Sequence, residues 1–95
     1  MLNELFEIIL DRKARPQPGS YTNKLLDGNE DLILQKIGEE AVEVILAAKG
    51  QGNQRLVEEI SDLYYHTLVL LARQGLSLVD VEAELHHRRT TLRAE

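Results

Sequence analysis

Both prolines of the 95-residue chain lie in one stretch, Arg15-Pro16-Gln17-Pro18-Gly19. That stretch marks a loop, and outside it the apolar residues recur with the 3.6-residue period of an α-helix. Leu2, Leu5, Phe6, Ile9 and Leu10 predict a first helix over residues 2–13. Ser20-Tyr21-Thr22 opens a short helical turn that closes at Gly28, with Ser20 or Thr22 as its cap. Asn29 is expected to cap a helix over 30–49, which Gly50-Gln51-Gly52 ends. Asn53 is expected to cap a third helix over 54–74, and Ser77 a fourth over 78–92. No segment alternates like a strand, so the fold class is all-α. Four helices on short connections predict an antiparallel four-helix-type bundle, with residues 1–95 as a single domain.

The second helix carries apolar residues on nearly all sides. Ile33, Leu34, Ile37, Ala41, Val44, Ile45 and Ala48 fill one arc, and Leu32, Val42 and Leu46 reappear opposite. A helix of that kind is buried on more than one face. So short a chain offers too little of itself to cover both faces, so a homodimer with helices shared across the interface is expected. There are no cysteines, which excludes a disulfide framework and a thiolate metal site. No apolar run reaches the ~18 residues of a membrane span. The first residues, Met1-Leu2-Asn3-Glu4-Leu5, do not read as a signal peptide, and a cytoplasmic protein is expected.

The net charge of −5 is concentrated in one third of the sequence. Residues 30–62 hold eight acids against three bases, whereas the flanking segments are balanced. An acidic centre opposes nucleic-acid binding and suits a divalent cation. Within it, Glu40 and Glu43 stand three apart on the second helix, and Glu59 and Asp62 three apart on the third. Residues so spaced project from one side of a helix. Antiparallel packing brings the four carboxylates face to face, where like charges need a cation or shared protons. Oxygen donors without cysteine favour Mg²⁺, with Mn²⁺ as a substitute, and Mg²⁺ commonly bridges carboxylates to substrate phosphates. The plainer reading is a solvated acidic face. Against it, Glu40 and Glu59 border the apolar arcs, and few cations stand near enough to pair with the acids.

The segments Gly38-Glu39-Glu40-Ala41-Val42-Glu43 and Glu59-Ile60-Ser61-Asp62 resemble the EExxE…ExxD signature of the all-α nucleotide pyrophosphohydrolase (MazG-like) superfamily. Ser20-Tyr21-Thr22-Asn23-Lys24-Leu25-Leu26 and Gln35-Lys36-Ile37-Gly38-Glu39-Glu40 sharpen the match. With Arg12-Lys13 and the Tyr64-Tyr65-His66 run they resemble the phosphoribosyl-ATP pyrophosphohydrolase family over roughly residues 5–75.

The resemblance implies hydrolysis of phosphoribosyl-ATP to phosphoribosyl-AMP and pyrophosphate, the second step of histidine biosynthesis, by a dimeric Mg²⁺-dependent enzyme of the cytosol. It implies Glu40, Glu43, Glu59 and Asp62 as metal ligands, and Glu39 as a further ligand or the general base. Lys24, Lys36, Arg55 and Arg73 are candidate substrate contacts, with salt bridging the alternative for Lys36 and the two arginines. His66, one turn beyond Asp62, reads as a hydrogen-bonded structural histidine. Tyr21 reads as a base-stacking or loop-pinning residue. The chain length leaves no room for the cyclohydrolase domain sometimes fused to this activity, so a stand-alone enzyme is expected. Two rival readings share parts of this pattern: a house-cleaning dNTP hydrolase, and a helical interaction module without catalysis.

Overall fold

The computed structural model describes all 95 residues and contains five helices and no strand. They are α1 (Leu2–Ala14), α2 (Tyr21–Asp27), α3 (Glu30–Gly50), α4 (Asn53–Arg73) and α5 (Leu78–Ala94). The short turn expected after the proline loop is thus a seven-residue helix of its own. Ser20 rather than Thr22 caps it, accepting a hydrogen bond from the Asn23 amide at 3.1 Å. Asn29 caps α3 through the Asp31 amide at 2.8 Å. Ser77 and Asp80 form a capping box at the start of α5. Asn53 does not cap α4: it is the first helical residue, and Gly52 stands at the cap. Only a turn of two residues joins α3 to α4, and Gly52 makes it with φ +87°, a left-handed conformation that costs glycine least.

That tight turn lays α3 and α4 against each other as an antiparallel hairpin, the principal packing of the fold. Ile33 of α3 and Val69 of α4 both lie in the core, and two turns further along Glu40 of α3 comes close to Asp62 of α4. α1 and α2 pack on one end of the hairpin. The core lies there, built from Phe6, Ile9, Leu25, Leu26, Ile33, Leu68, Val69 and Ala72.

Three polar side chains bind the short elements to that end. Asn23, itself buried, accepts from the Gln17 amide at 2.9 Å and donates to the Arg12 carbonyl at 2.8 Å. This fastens the proline loop to both helices it connects. Arg73 donates to the carbonyls of Leu25 and Leu26 at 2.9 and 2.8 Å, which would otherwise lack partners where α2 ends. Lys13 donates to the Ala72 carbonyl near the end of α4 at 2.6 Å, beside the Gly75 amide that also reaches it at 3.1 Å, and so ties α1 to α4.

Beyond its first turn α5 is exposed along its whole length, so the single chain does not close into a four-helix bundle. The radius of gyration is 15.1 Å, against the ~12 Å usual for a compact domain of this length. The far half of the hairpin is also bare, with Val42, Ile45, Leu46 and Val57 exposed.

Leu25 is fully enclosed and touches core residues from more than one helix. Leu25→Ala is expected to cost about 2–4 kcal/mol, read as a lowered midpoint in urea unfolding with helical circular dichroism preserved in buffer.

Candidate metal and nucleotide site

The α3–α4 hairpin carries its acids just beyond the core. One carboxylate oxygen from each of Glu40, Glu59 and Asp62 lies within 4.8 Å of the others. Glu59 is buried, Glu40 half-buried and Asp62 exposed, so the cluster opens from an enclosed floor to solvent. Octahedral Mg²⁺ spaces opposite ligand oxygens about 4.2 Å apart and adjacent ones about 3 Å apart. Three oxygens within 4.8 Å therefore suit one such ion after a small closure, and the all-oxygen donor set is the kind Mg²⁺ prefers. Glu43 lies one turn beyond Glu40 on α3 and outside this trio, yet near enough for its charge to act on Glu40.

The three acids are not balanced alike. Arg55, one turn before Glu59, reaches it at 2.5 Å and also holds Glu58 at 2.8 Å. The bond to Glu58 is the larger cause of the raised Arg55 pKa, and it holds Glu58 below the ordinary glutamate range. Glu40 has no such counter-charge. Burial, then the carboxylates of Glu59, Asp62 and Glu43, push its pKa up.

Glu39 faces solvent on the adjoining side of α3. It accepts from Gln35 at 2.8 Å and pairs with Lys36 at 3.5 Å, and these contacts, Gln35 foremost, keep it below the usual range. Lys36 is therefore an ion-pair partner of Glu39 rather than of Glu40 or Glu43. Lys24 lies on the exposed side of α2 beside Asp27, along a shallow recess that also includes Gln17, Ser20 and Tyr21.

Arg73 lies elsewhere. It shares the angular stripe of Glu59 and Asp62 around α4, but angle is only one of two helical coordinates. Eleven residues separate it from Asp62, about 16 Å along the axis, and its guanidinium is engaged by the end of α2.

A second group of side chains borders the acids, and taken residue by residue the sequence did not show it. His66 is 6% exposed, and its Nδ1 lies 2.7 Å from the Asp62 carbonyl. Its Nε2 lies 3.0 Å from the Tyr21 hydroxyl. Thr22 and Tyr65 join their hydroxyls at 2.5 Å. The Tyr21 and Tyr65 rings stack at 6.3 Å, and the His66 ring meets both edge-on. Two consecutive residues of α2 are thus bonded to two consecutive residues of α4, one turn from Asp62. The legible signal was the four-residue step from Asp62 to His66. The pairing with residues 21 and 22 depends on where the proline loop delivers α2.

Glu40 gives the metal-free protein a pH dependence of definite sign. Its folded pKa is raised, so the stability tied to its proton is present below the ordinary glutamate range. That stability is lost as pH rises from there through the elevated value. Glu40→Gln should therefore raise Tm by a few degrees at pH 7 in a chelator, and flatten the fall in Tm between pH 4.5 and pH 7. A Tm below wild type at pH 7 would show that repulsion at this position is not what the fold bears.

The model of the family described as phosphoribosyl-ATP pyrophosphohydrolase matches residues 2–89. A phosphoribosyl-ATP pyrophosphatase of Listeria monocytogenes serovar 1/2a is 53% identical over 92 residues, covering 97% of this chain and 88% of that one. One from Pelotomaculum thermopropionicum is 54% identical over 89 residues, covering 94% and 91%. A histidine biosynthesis bifunctional protein of Gloeobacter violaceus is 49% identical over 88 residues, which are 93% of this chain and 39% of that longer protein. Helical architecture, the convergence of acids from α3 and α4, and identity near one half across almost the whole length agree. The chain belongs to the phosphoribosyl-ATP pyrophosphohydrolase family.

Proposed function

We propose that this chain hydrolyses phosphoribosyl-ATP to phosphoribosyl-AMP and pyrophosphate, the second step of histidine biosynthesis, in the cytoplasm and with Mg²⁺. The observation that carries the reading is the trio Glu40, Glu59 and Asp62, with oxygens inside 4.8 Å, in a chain of this family. These three, with Glu43 closing in from the next turn of α3, would hold the ion. When bound, it supplies neutralisation of the polyphosphate and polarisation of the scissile α–β anhydride.

The remaining work falls to the protein's own groups. Glu39 is ionised and open to solvent, and it receives the proton of the attacking water. The water oxygen bonds to the α phosphorus as the bond from that phosphorus to the bridging oxygen breaks. The electron pair leaves with pyrophosphate. Lys36 and Arg55, already in the acidic face, and Lys24 on the exposed side of α2 are the cations that would meet phosphate oxygens. Arg73 contributes by holding α2 in place, rather than by contact.

The assembly we propose is a homodimer in which the two chains together form the four-helix bundle, each chain a single domain over residues 1–95. Two surfaces support it. Val42, Ile45, Leu46 and Val57 leave the far half of the hairpin apolar and bare. A groove of about 430 Å³ beside α4 is lined by Leu2, Leu68, Leu71, Leu78 and Val81. Exposed apolar area of this extent is the usual mark of an interface.

Purified protein should hydrolyse phosphoribosyl-ATP in preference to a panel of dNTPs, and preference for dNTPs would overturn the substrate assignment. Asp62→Asn and Glu43→Gln should each abolish turnover with helical circular dichroism intact. Both should also lose the thermal stabilisation that MgCl₂ gives wild type beyond a matched ionic-strength control. Light scattering should report twice the 10.8 kDa chain mass. Ile45→Glu should shift that mass toward the single chain; an unchanged mass would remove the hairpin tip from the interface.

A further inference from the structure

The hydroxyl of Tyr21 is held in a way that fixes what it can offer a ligand. The Asp62 carbonyl can only accept, so the His66 Nδ1 facing it at 2.7 Å carries the ring hydrogen. In the neutral ring Nε2 then has only a lone pair, and the Tyr21 hydroxyl, 3.0 Å away, donates to it. The hydrogen of Tyr21 is thereby spent, and its oxygen can only accept. Burial raises the Tyr21 pKa, with Lys36 opposing and Tyr65, Glu40 and Glu39 adding to the rise, so the phenol keeps its proton at neutral pH. Stacking on Tyr65, and the Thr22–Tyr65 bond beside it, stop the ring from swinging away. Yet Tyr21 is 45% exposed, so part of this fixed side chain is open to a ligand.

The charges that act on this hydroxyl, Lys36, Glu39 and Glu40, belong to the acidic face. An acceptor-only oxygen beside carboxylates repels a bare phosphate. It suits an uncharged donor, and the uncharged donors of a ribonucleotide nearest its phosphates are the sugar hydroxyls. We propose that Tyr21 is a specificity-determining residue whose oxygen accepts a hydrogen bond from a ribose hydroxyl of the substrate, with His66 as the positioning residue that orients it. The proposal rests on the nucleotide reading above, and deepens it by naming the group recognised. A neutral hydrogen bond contributes little on its own, so discrimination of roughly fivefold between a sugar with that hydroxyl and one without is expected.

The test uses AMP, 2′-deoxyAMP and 3′-deoxyAMP, none of which has an anhydride to cleave, titrated calorimetrically into the full-length protein with MgCl₂. Wild type should bind AMP roughly fivefold more tightly than one of the two deoxy forms, and Tyr21→Phe should bind all three alike. With phosphoribosyl-ATP, Tyr21→Phe should raise KM several-fold and leave kcat near wild type, as expected when a bond is made equally in ground and transition states. Thr22→Val breaks the neighbouring strut without touching the acceptor, and should keep the wild-type discrimination. Equal binding of the three nucleotides by wild type would overturn the proposal, as would discrimination that persists in Tyr21→Phe or is lost equally in Thr22→Val. A wild type inert toward phosphoribosyl-ATP overturns the functional reading instead, and the two failures are separable because one is read by binding and the other by turnover.

Discussion

The structure is organised around a repulsion it does not relieve internally. Glu40, Glu59 and Asp62 converge from two helices joined by a two-residue turn, and the packing of α3 against α4, with Ile33 and Val69 in the shared core, holds them near one another. Arg55 offsets the buried Glu59, but nothing comparable reaches Glu40. Apolar burial at one end of the hairpin therefore holds apart-tending charges together at the middle. In the metal-dependent reading proposed above, the core supplies the energy that holds these charges together, and a bound cation would remove the strain.

Most of the helical plan was legible because its determinants are local. The loop prolines, the caps Asn29 and Ser77, and the glycines that end segments each act within a few residues. The convergence of Glu40, Glu59 and Asp62 was legible too, because phase around a helix is arithmetic and an antiparallel hairpin follows from a short turn. Arg73 shows where that arithmetic stops. Phase put it with the acids, but height along α4 put it against α2, and height matters only once the register with other helices is known. The Tyr21–His66 contact was out of reach for a similar reason, since 45 residues and a loop of undetermined path separate its partners. Asn53 failed as a cap because Gly52, with its left-handed backbone, had already turned the chain.

The short helix α2 connects these themes. It buries only Asn23, Leu25 and Leu26, far too little for a seven-residue helix to persist alone. It persists because Asn23 ties it to the loop, Arg73 closes its end, and Tyr21 and Thr22 fasten its first turn to α4. The same residues that make the helix possible set it beside the acidic face. Stability and placement are here one property, and the basic residues of the sequence divide between the tasks: Lys13 and Arg73 fasten helix ends, whereas Lys36 and Arg55 stand among the acids.

The lacing of the proline loop has a consequence for thermodynamics of association. A recognition loop that must order itself when a small molecule arrives loses chain entropy at that moment and weakens the complex accordingly. Here the pyrrolidine rings of Pro16 and Pro18 restrict the loop even in the unfolded chain, and the buried amide of Asn23 removes further freedom on folding. A nucleotide bound beside α2, as proposed above, would meet a rigid rim there, and its affinity on that side would be set by complementarity instead of by the expense of freezing a floppy segment.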